Sequence, residues 1–248
     1  MQCFLTSNLI DPNTGEINPA NCFIDNLRAC LPDPCDCVFL SSDPMDHNRT
    51  DYFAGAVKKS LCSAGFTLRQ FHILDSRNQE KAADLVNGAN LLILAGGHVP
   101  TQNRFFNEIH LKELLHSFQG VLVGISAGSM NCAEVVYAHP ELDGEAADPH
   151  FQKYLPGLGL TNKMILPHYQ MIKDDILDGL RVMEDIAYPD SQGRAFYALV
   201  DGSYLHIDNG TEKIYGQAYI IADGNISQIS SLRDIVTVSP QNSEATDL

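Results

Sequence analysis

The sequence contains no tryptophan, few basic residues and no long apolar run. Its 248 residues include 16 Lys and Arg against 31 Asp and Glu, a formal net charge of −15. Because binding to phosphates requires clustered Lys and Arg, this balance argues against nucleic acid and against an anionic membrane as partners. The apolar runs are also far shorter than the ~20 residues that a membrane-spanning helix needs.

A leader segment and a metal-ligand pattern are lacking as well. Residues 1–5 show no basic region followed by an apolar core, so we expect a cytoplasmic protein. The seven cysteines form no C-x-x-C pair, although four of them lie close together at Cys22, Cys30, Cys35 and Cys37. We therefore expect reduced and mostly buried thiols, no metal ion and no organic cofactor.

The composition that remains is that of an ordinary globular protein. Hydrophobic residues make up 44% of the chain and charged residues 19%, and the length suffices for one sizeable core. We expect a single domain over residues 1–238, followed by a polar tail over 239–248. A monomer and a homodimer both remain open.

The most informative stretch joins a short apolar run, 121–123, to the sequence Gly124-Ile-Ser126-Ala-Gly128. Apolar residues then follow at helical spacing, namely Met130, Ala133, Val136 and Tyr137. A G-x-S-x-G pattern between a strand and a helix is typical of a nucleophile elbow, where crowding of the backbone favours glycine on both sides of the serine. The pattern alone also fits a glycine-rich turn that packs tightly or binds a phosphate.

Strand and helix patterns alternate through the first half of the chain. The predicted strands are 3–6, 37–41, 67–74, 91–94 and 121–123, and the predicted helices are 23–31, 51–64 with Asp51 as N-cap, 78–86 and 103–118. This alternation predicts an α/β fold with a doubly wound, mostly parallel sheet and helices on both faces.

The second half has a different character. A further helix is predicted over 173–186, and from Phe196 onward short strands are separated by tight turns. The sequences 208–210 (Asp-Asn-Gly) and 223–225 (Asp-Gly-Asn) predict two hairpins. We therefore expect a β-rich C-terminal extension of the same domain.

Candidate functional residues follow the predicted strands directly. Gly96 and Gly97 follow one strand and Ser126 the next, and in doubly wound sheets the functional crevice lies outside such carboxyl ends. A serine nucleophile needs a base and an orienting carboxylate. His168 is the best candidate for the base because it follows an apolar run; the weaker candidates are His98, His139 and His206. The loop between serine and histidine offers the acid, with Glu141 as first candidate; the competitors are Asp143, Glu134 and a residue beyond His168.

Three segments together carry a family resemblance: Ala-Gly-Gly-His98, Gly-Ile-Ser126-Ala-Gly-Ser and Ile-Leu-Pro-His168-Tyr. With the segment Val-Asp-Gly-Ser-Tyr-Leu-His-Ile207 they resemble peptidase E (aspartyl dipeptidase) and cyanophycinase. These are serine peptidases of family S51 with a class I glutamine amidotransferase-like fold. The resemblance extends over nearly the whole chain.

The resemblance implies roles for individual residues. Ser126 would be the nucleophile, His168 the general base and Glu141 the triad acid, with Glu where peptidase E has Asp. The N–H groups of Gly97 and Ala127 would form the oxyanion hole. His98 and Arg181 would contact substrate, and Arg181 lies near the place of an arginine in peptidase E. An equally weighted alternative is that Arg181 is a solvated residue of the predicted helix.

We therefore predict a serine peptidase of small acidic peptides, most specifically a dipeptidase that releases an N-terminal Asp. One alternative is an esterase related to the α/β-hydrolases, although its oxyanion loop usually reads His-Gly-Gly. Another is a non-catalytic protein that binds a small metabolite on the same scaffold. A glutamine amidotransferase would need Cys at the elbow, and the nearest, Cys132, lies beyond it.

Overall fold

The computed structural model describes residues 1–238, so the predicted tail over 239–248 lies outside the described residues. In the described residues, sixteen strands are found, which we number in chain order. They are β1 Gln2–Thr6, β2 Cys35–Leu40, β3 Leu68–Leu74, β4 Leu91–Leu94, β5 Val121–Ile125, β6 Val135–Tyr137, β7 Tyr154–Pro156, β8 Met164–Leu166, β9 Ile176–Leu177, β10 Leu180–Arg181, β11 Ala195–Leu199, β12 Tyr204–Asp208, β13 Thr211–Tyr215, β14 Ala218–Ala222, β15 Asn225–Ser230 and β16 Ile235–Thr237.

Helices follow most strands of the first half. They are α1 Phe23–Cys30, α2 His47–Ser63, α3 Ala82–Gly88, α4 Val99–Glu108, α5 Leu111–Leu115, α6 Ala127–Met130, α7 Tyr169–Ile172 and α8 Tyr188–Asp190. Short 3₁₀ turns precede α1 and α3 at Ala20–Cys22 and Gln79–Lys81, and a π-helical segment spans Val182–Ala187. None of the helices within residues 1–238 is both long and apolar enough to cross a membrane.

The central sheet has eight strands in the order β16-β13-β12-β1-β5-β4-β2-β3. Strands β1, β5, β4, β2 and β3 are parallel to one another, whereas β12, β13 and β16 extend the sheet in antiparallel fashion. The predicted α/β fold with a mostly parallel sheet is confirmed. The β-rich C-terminal extension is confirmed too, since β12 and β13 join this same sheet.

Both faces of the central sheet are buried. Along β4, Leu92 and Leu94 pack into one apolar cluster with α3, α4 and α5, while Leu91 and Ile93 pack into another with α1 and α2. Because successive strand residues point to opposite faces, a strand covered on both sides must be apolar throughout, as Leu91–Leu94 is. Each fully buried Leu or Ile contributes about 1.5–3 kcal/mol to folding.

A second sheet, in the order β15-β14-β11-β8, is formed by the second half of the chain, and its strands alternate in sequence with β12, β13 and β16 of the central sheet. Strands β8 and β11 are parallel, so their carboxyl ends meet at one edge of this sheet. Both predicted hairpins are confirmed: β12 turns into β13 at the pair Asp208 and Thr211, and β14 turns into β15 at Ala222 and Asn225.

Two predicted helices have different bounds. Helix α2 begins at His47 rather than Asp51, because the carboxylate of Asp46 accepts the backbone N–H of Arg49 at 3.0 Å and so caps the helix earlier. The helix predicted over 103–118 begins at Val99 and is interrupted between α4 and α5, where His110 has φ of 53°.

Two other helix predictions were wrong. After the elbow the helix ends at Met130, and Val135–Tyr137 forms strand β6, which pairs with β7. The stretch 173–186 contains the hairpin β9–β10, and only its last residues, from Val182, are helical, as part of the π-helical segment. Asp178 and Gly179 both have positive φ there, at 52° and 81°, and a two-residue turn of that kind suits a hairpin.

Candidate active site

Ser126 lies on a sharp turn between β5 and α6. Its φ of 50° and ψ of −110° fall outside the regions that L-residues favour, so the fold must hold this backbone in place. A Cβ at Gly124 would lie 2.8 Å from the Cα of Ser129, and one at Gly128 would collide with the carbonyl oxygen of Leu94. The two glycines of the motif are therefore required by close packing around the turn.

The side chain of His168 faces that of Ser126, and both residues lie just beyond the carboxyl ends of their strands, β8 and β5. His168 follows β8 and Pro167, and its Nε2 lies 2.9 Å from the Oγ of Ser126. The structure thus brings together the serine and the histidine that the sequence singled out. The imidazole is 27% exposed, which leaves it in contact with the adjoining cavity.

The carboxylate beside this histidine belongs to Asp201. Its Oδ1 lies 2.8 Å from the Nδ1 of His168, because Asp201 follows β11, the parallel neighbour of the strand that leads to His168. The predicted acid, Glu141, instead lies 3.6 Å from the Nε2 of His139. The structure therefore corrects the assignment of Glu141 as the orienting acid. Its two competitors, Glu134 and Asp143, are exposed side chains.

Sequence reasoning missed Asp201 although a signal for it was present. The residue comes two positions after a buried apolar strand, Ala195–Leu199, just as Ser126 directly follows β5 and Gly97 follows β4. The chain order Ser, acid, His favours the loop between serine and histidine, and a residue beyond His168 enters only as an alternative without a named position. Here the acid comes last.

Ser7 is a second residue that the sequence did not reveal. Its buried hydroxyl lies 2.7 Å from Oδ1 of Asp201 and accepts the backbone N–H of His168 at 2.8 Å. Burial alone would raise the pKa of Asp201, but the hydrogen bonds from His168 and Ser7 and the nearby imidazole together lower it below its ordinary value. Asp201 is consequently ionised at neutral pH.

An ionised carboxylate decides how the imidazole is protonated. The Nδ1 of His168 donates to Asp201, since a carboxylate without a proton only accepts. In the neutral ring, Nε2 is then the acceptor and the hydroxyl of Ser126 is the donor. This chain of two hydrogen bonds is the arrangement that activates a serine hydroxyl as a nucleophile.

Two backbone N–H groups border the serine. Gly96 is close enough that a Cβ there would lie 3.4 Å from that of Ser126, and the neighbouring Gly97 has a φ of 154°, a conformation that favours glycine. Within residues 1–238 the N–H of Gly97 has no hydrogen-bond partner. Ala127 is the first residue of α6, where N–H groups lack acceptors inside the helix. Both positions suit the predicted oxyanion hole.

Two cavities meet at Ser126 and His168. The larger, of about 840 Å³, is lined among others by His98, Glu141 and Asp201. The other, of about 450 Å³, extends toward α2 and the loop that precedes it. A reacting bond held over Ser126 can therefore have one part of the substrate in each cavity.

The two predicted substrate contacts differ in position. His98 lines the larger cavity, but its ring nitrogens lie 2.8 Å from Thr101 and 2.8 Å from Glu145 and are thus already engaged. Arg181 is exposed, pairs with Asp185 at 2.7 Å and does not line either cavity. The helix that was to carry Arg181 is a hairpin, which explains its outward position.

Glu141, which is half-buried, and the buried His139 form a separate pair on the wall of the larger cavity. Burial, and in second place the charge of Glu145, raises the pKa of Glu141 to about 8. Burial also lowers the pKa of His139, so both members are mainly neutral at pH 7. Among residues 1–238, no group of three or more His, Cys, Asp or Glu side chains is arranged to hold a metal ion, and the seven cysteines are free thiols.

Comparison with known proteins identifies the family of the chain. The family model described as peptidase family S51 matches residues 44–215, which is more than half of the chain. The chain belongs to peptidase family S51. Ser126, His168 and Asp201 all lie inside the matched region, and the predicted family is confirmed together with the coarser prediction of a peptidase.

Solved structures share the fold of this S51 peptidase. A peptidase from an acI-B1 actinobacterium has a TM-score of 0.63 at 17% identity, with 96% of each chain covered. A putative peptidase E protein from Listeria monocytogenes EGD-e has a TM-score of 0.61 at 15% identity, covering 92% of this chain and 98% of the other. No curated protein sequence matches the chain significantly.

Proposed function

We propose that this S51 peptidase hydrolyses small peptides by nucleophilic catalysis at Ser126, most specifically as a dipeptidase that releases an N-terminal Asp. The observation that supports the mechanism is the unbroken chain of hydrogen bonds from Ser126 through His168 to Asp201. It lies at the meeting point of two cavities. The substrate preference is supported by the resemblance to peptidase E.

The first half of the reaction forms an acyl-enzyme. The Oγ of Ser126 attacks the carbonyl carbon of the scissile bond while Nε2 of His168 takes the hydroxyl proton. The carbonyl oxygen becomes an oxyanion, to which the N–H groups of Gly97 and Ala127 donate. His168 then gives the proton to the leaving amine, the C–N bond breaks, and the C-terminal fragment departs.

The second half repeats these steps with water. His168 takes a proton from a water molecule as its oxygen attacks the acyl carbon, and Ser126 recovers that proton when the ester bond breaks. Asp201 stays ionised throughout and holds the ring in the tautomer with the proton on Nδ1. No proton has to reach the carboxylate at any step.

The decisive assay is hydrolysis of five small substrates by the wild type and by the Ser126→Ala variant. The panel comprises Asp-Leu, Glu-Leu, Ala-Leu, a β-aspartyl dipeptide and a short-chain ester. We expect the wild type to cleave Asp-Leu best and Ser126→Ala to lose at least about 10³-fold in kcat, since the nucleophile is gone while the smaller Ala side chain fits the same turn.

The other outcomes separate the competing functions. Cleavage of the ester alone would support an esterase. An inactive wild type with every substrate would contradict the proposal and favour a protein that binds a small metabolite. A Ser126→Ala variant that retains activity would remove the nucleophile assignment. Thermal unfolding of both proteins shows whether the fold is preserved.

A further inference from the structure

One arginine lies where the two cavities meet. Arg49, in the first turn of α2, lines both of them together with Ser126 and His168. It is the sole Lys or Arg among the described residues that line either cavity. The other charged residues there are acidic or histidine. A negatively charged part of a substrate therefore has one strong cationic partner in this site.

The guanidinium of Arg49 is free to bind a ligand. Within residues 1–238 its side chain forms no hydrogen bond or ion pair. The nearby carboxylates are engaged elsewhere: Asp46 caps the helix by accepting the N–H of Arg49, and Asp43 accepts the N–H of Met45. By contrast, Arg77 on a neighbouring loop binds two carboxylates at once.

The position of Arg49 is unfavourable for the helix itself. The first turn of a helix carries partial positive charge and favours acidic side chains, yet the first turn of the 17-residue helix α2 has no acidic residue. A cation placed there without a carboxylate partner costs stability. Where a local rule is broken with no ion pair to compensate, a functional requirement is the expected reason.

An aromatic ring helps to hold the guanidinium. Phe53, one helical turn further along α2, places its ring centroid 5.6 Å from Cζ of Arg49, and Phe53 also lines the smaller cavity. Such a cation–π contact orients the guanidinium without occupying its N–H groups. The planar fork can then meet a carboxylate with two parallel hydrogen bonds.

We propose that Arg49 binds a carboxylate of the peptide substrate and is a specificity-determining residue of this site. The inference rests on the proposed function, because it assumes that a peptide is cleaved at Ser126. Two carboxylates of a dipeptide can fill the role, namely the side chain of an N-terminal Asp and the C-terminal carboxylate. Arg181, the arginine that the sequence favoured, is already paired with Asp185 outside the cavities.

The test compares the wild type, Arg49→Gln and Arg49→Lys, with Arg181→Gln as matched control. The substrates are Asp-Leu, Asn-Leu and Asp-Leu-amide. Asp-Leu carries both carboxylates, Asn-Leu lacks the one on the side chain, and Asp-Leu-amide lacks the C-terminal one. Because Arg49→Gln removes a hydrogen-bonded charge pair with the substrate, we expect kcat/KM for Asp-Leu to fall about 10–100-fold. The loss falls mainly on KM. Arg49→Lys restores part of it, since Lys keeps the charge without the fork.

The substrate series identifies which carboxylate is bound. If Arg49 binds the Asp side chain, Asp-Leu and Asp-Leu-amide lose equally and Asn-Leu changes little. If it binds the C-terminal carboxylate, Asp-Leu and Asn-Leu lose and the amide does not. An equal loss with all three substrates, no loss with any, or a larger loss in Arg181→Gln would overturn the proposal.

Stability and binding distinguish this result from failure of the proposed function. Arg49→Gln should unfold at the same temperature as the wild type or slightly above it, because it removes a cation from the positive end of a helix. A wild type that cleaves no peptide contradicts the proposed function alone. Calorimetry of Asp-Leu with Ser126→Ala and with the double variant Ser126→Ala/Arg49→Gln then still tests Arg49, and equal affinities would reject it.

Discussion

Two pairs of histidine and carboxylate face the same cavity, and they differ in almost every property that matters for catalysis. Nδ1 of His168 lies 2.8 Å from Oδ1 of Asp201, and Nε2 of the same ring lies 2.9 Å from Oγ of Ser126. His139 and Glu141 are 3.6 Å apart, and the other ring nitrogen of His139 faces the carbonyl oxygen of Pro140 at 3.0 Å. Only the first pair is connected to a nucleophile.

The two acids also have opposite pKa shifts. Burial acts on both, but Asp201 receives hydrogen bonds from Ser7 and His168 that lower its pKa. Glu141 lies beside Glu145, and its pKa rises to about 8. A carboxyl group in an enclosed site therefore stays ionised only where hydrogen-bond donors stabilise the anion by more than the loss of hydration destabilises it.

The largest expected effect comes from exchanging each acid for its amide. Asp201→Asn should reduce kcat by about 10³–10⁴-fold, because an amide N–H facing Nδ1 shifts the ring proton to Nε2 and leaves Ser126 without an acceptor. Glu141→Gln should change kcat by less than about fivefold, because the carboxyl is already protonated at pH 7. Steady-state kinetics with the best dipeptide measures both, and the reverse order would mean that Glu141 is the orienting acid.

A smaller effect is expected when the support of the first pair is weakened. Ser7→Ala removes the hydroxyl that bridges Asp201 and the backbone of His168. We expect kcat to fall about tenfold with little change in KM. A hydrogen bond to a charged group contributes about 1.5–3 kcal/mol, and part of this stabilisation acts on the orientation of the imidazole of His168.

The matched control for Ser7→Ala is Ser60→Ala. Ser60 is equally buried, but its hydroxyl donates to the carbonyl of Gly15 at 2.8 Å, on α2 and away from the relay. Ser60→Ala should lose about 1 kcal/mol of unfolding free energy, and Ser7→Ala, whose hydroxyl binds a charged group, about 1.5–3 kcal/mol. If Ser60→Ala reduced kcat as much as Ser7→Ala does, the effect would be general destabilisation and Ser7 would have no positioning role.

The smallest effect concerns stability as a function of pH. The raised pKa of Glu141 means that the native state holds a proton there which the unfolded state releases above about pH 4.5. Between that value and about pH 8 the contribution of Glu141 to stability falls as pH rises. Glu141→Gln should therefore gain stability relative to the wild type, by on the order of 1–2 kcal/mol after solvent screening, and more at pH 8 than at pH 5.

The contribution of Asp201, in the first pair, depends on pH in the opposite direction. The lowered pKa of Asp201 stabilises the fold above the unfolded value and loses that contribution as pH falls through the native one. The deficit of Asp201→Asn should therefore be largest at neutral pH and shrink in acid. Urea unfolding of the three proteins at several pH values tests the contrast, and parallel profiles would show that the two carboxyls do not differ.

The sequence predicted much of this site because local patterns specify it. The apolar strand Leu91–Leu94, the glycines around Ser126 and the apolar run before His168 each have a local reason that a single chain can show. The same rule, that functional residues follow parallel strands, also describes Asp201.

What the sequence could not distinguish is one carboxylate from another. Glu141 and Asp201 both lie in loops, and the chain order favoured Glu141. Their difference depends on donors brought from distant segments, such as the hydroxyl of Ser7, 194 positions from Asp201. The outward position of Arg181 has a similar cause, since it lies in a hairpin whose turn accepts backbone N–H groups of a distant loop at residues 144–146.

The most direct test of the relay is covalent labelling by a fluorophosphonate, followed by peptide mapping in a mass spectrometer. The reagent forms a bond from phosphorus to an activated serine oxygen as fluoride and the hydroxyl proton leave. We predict one adduct on Ser126, formed at similar rates in the wild type and in Glu141→Gln and far more slowly in Asp201→Asn. An unlabelled wild type, or an Asp201→Asn variant that reacts as fast as the wild type, would contradict the account.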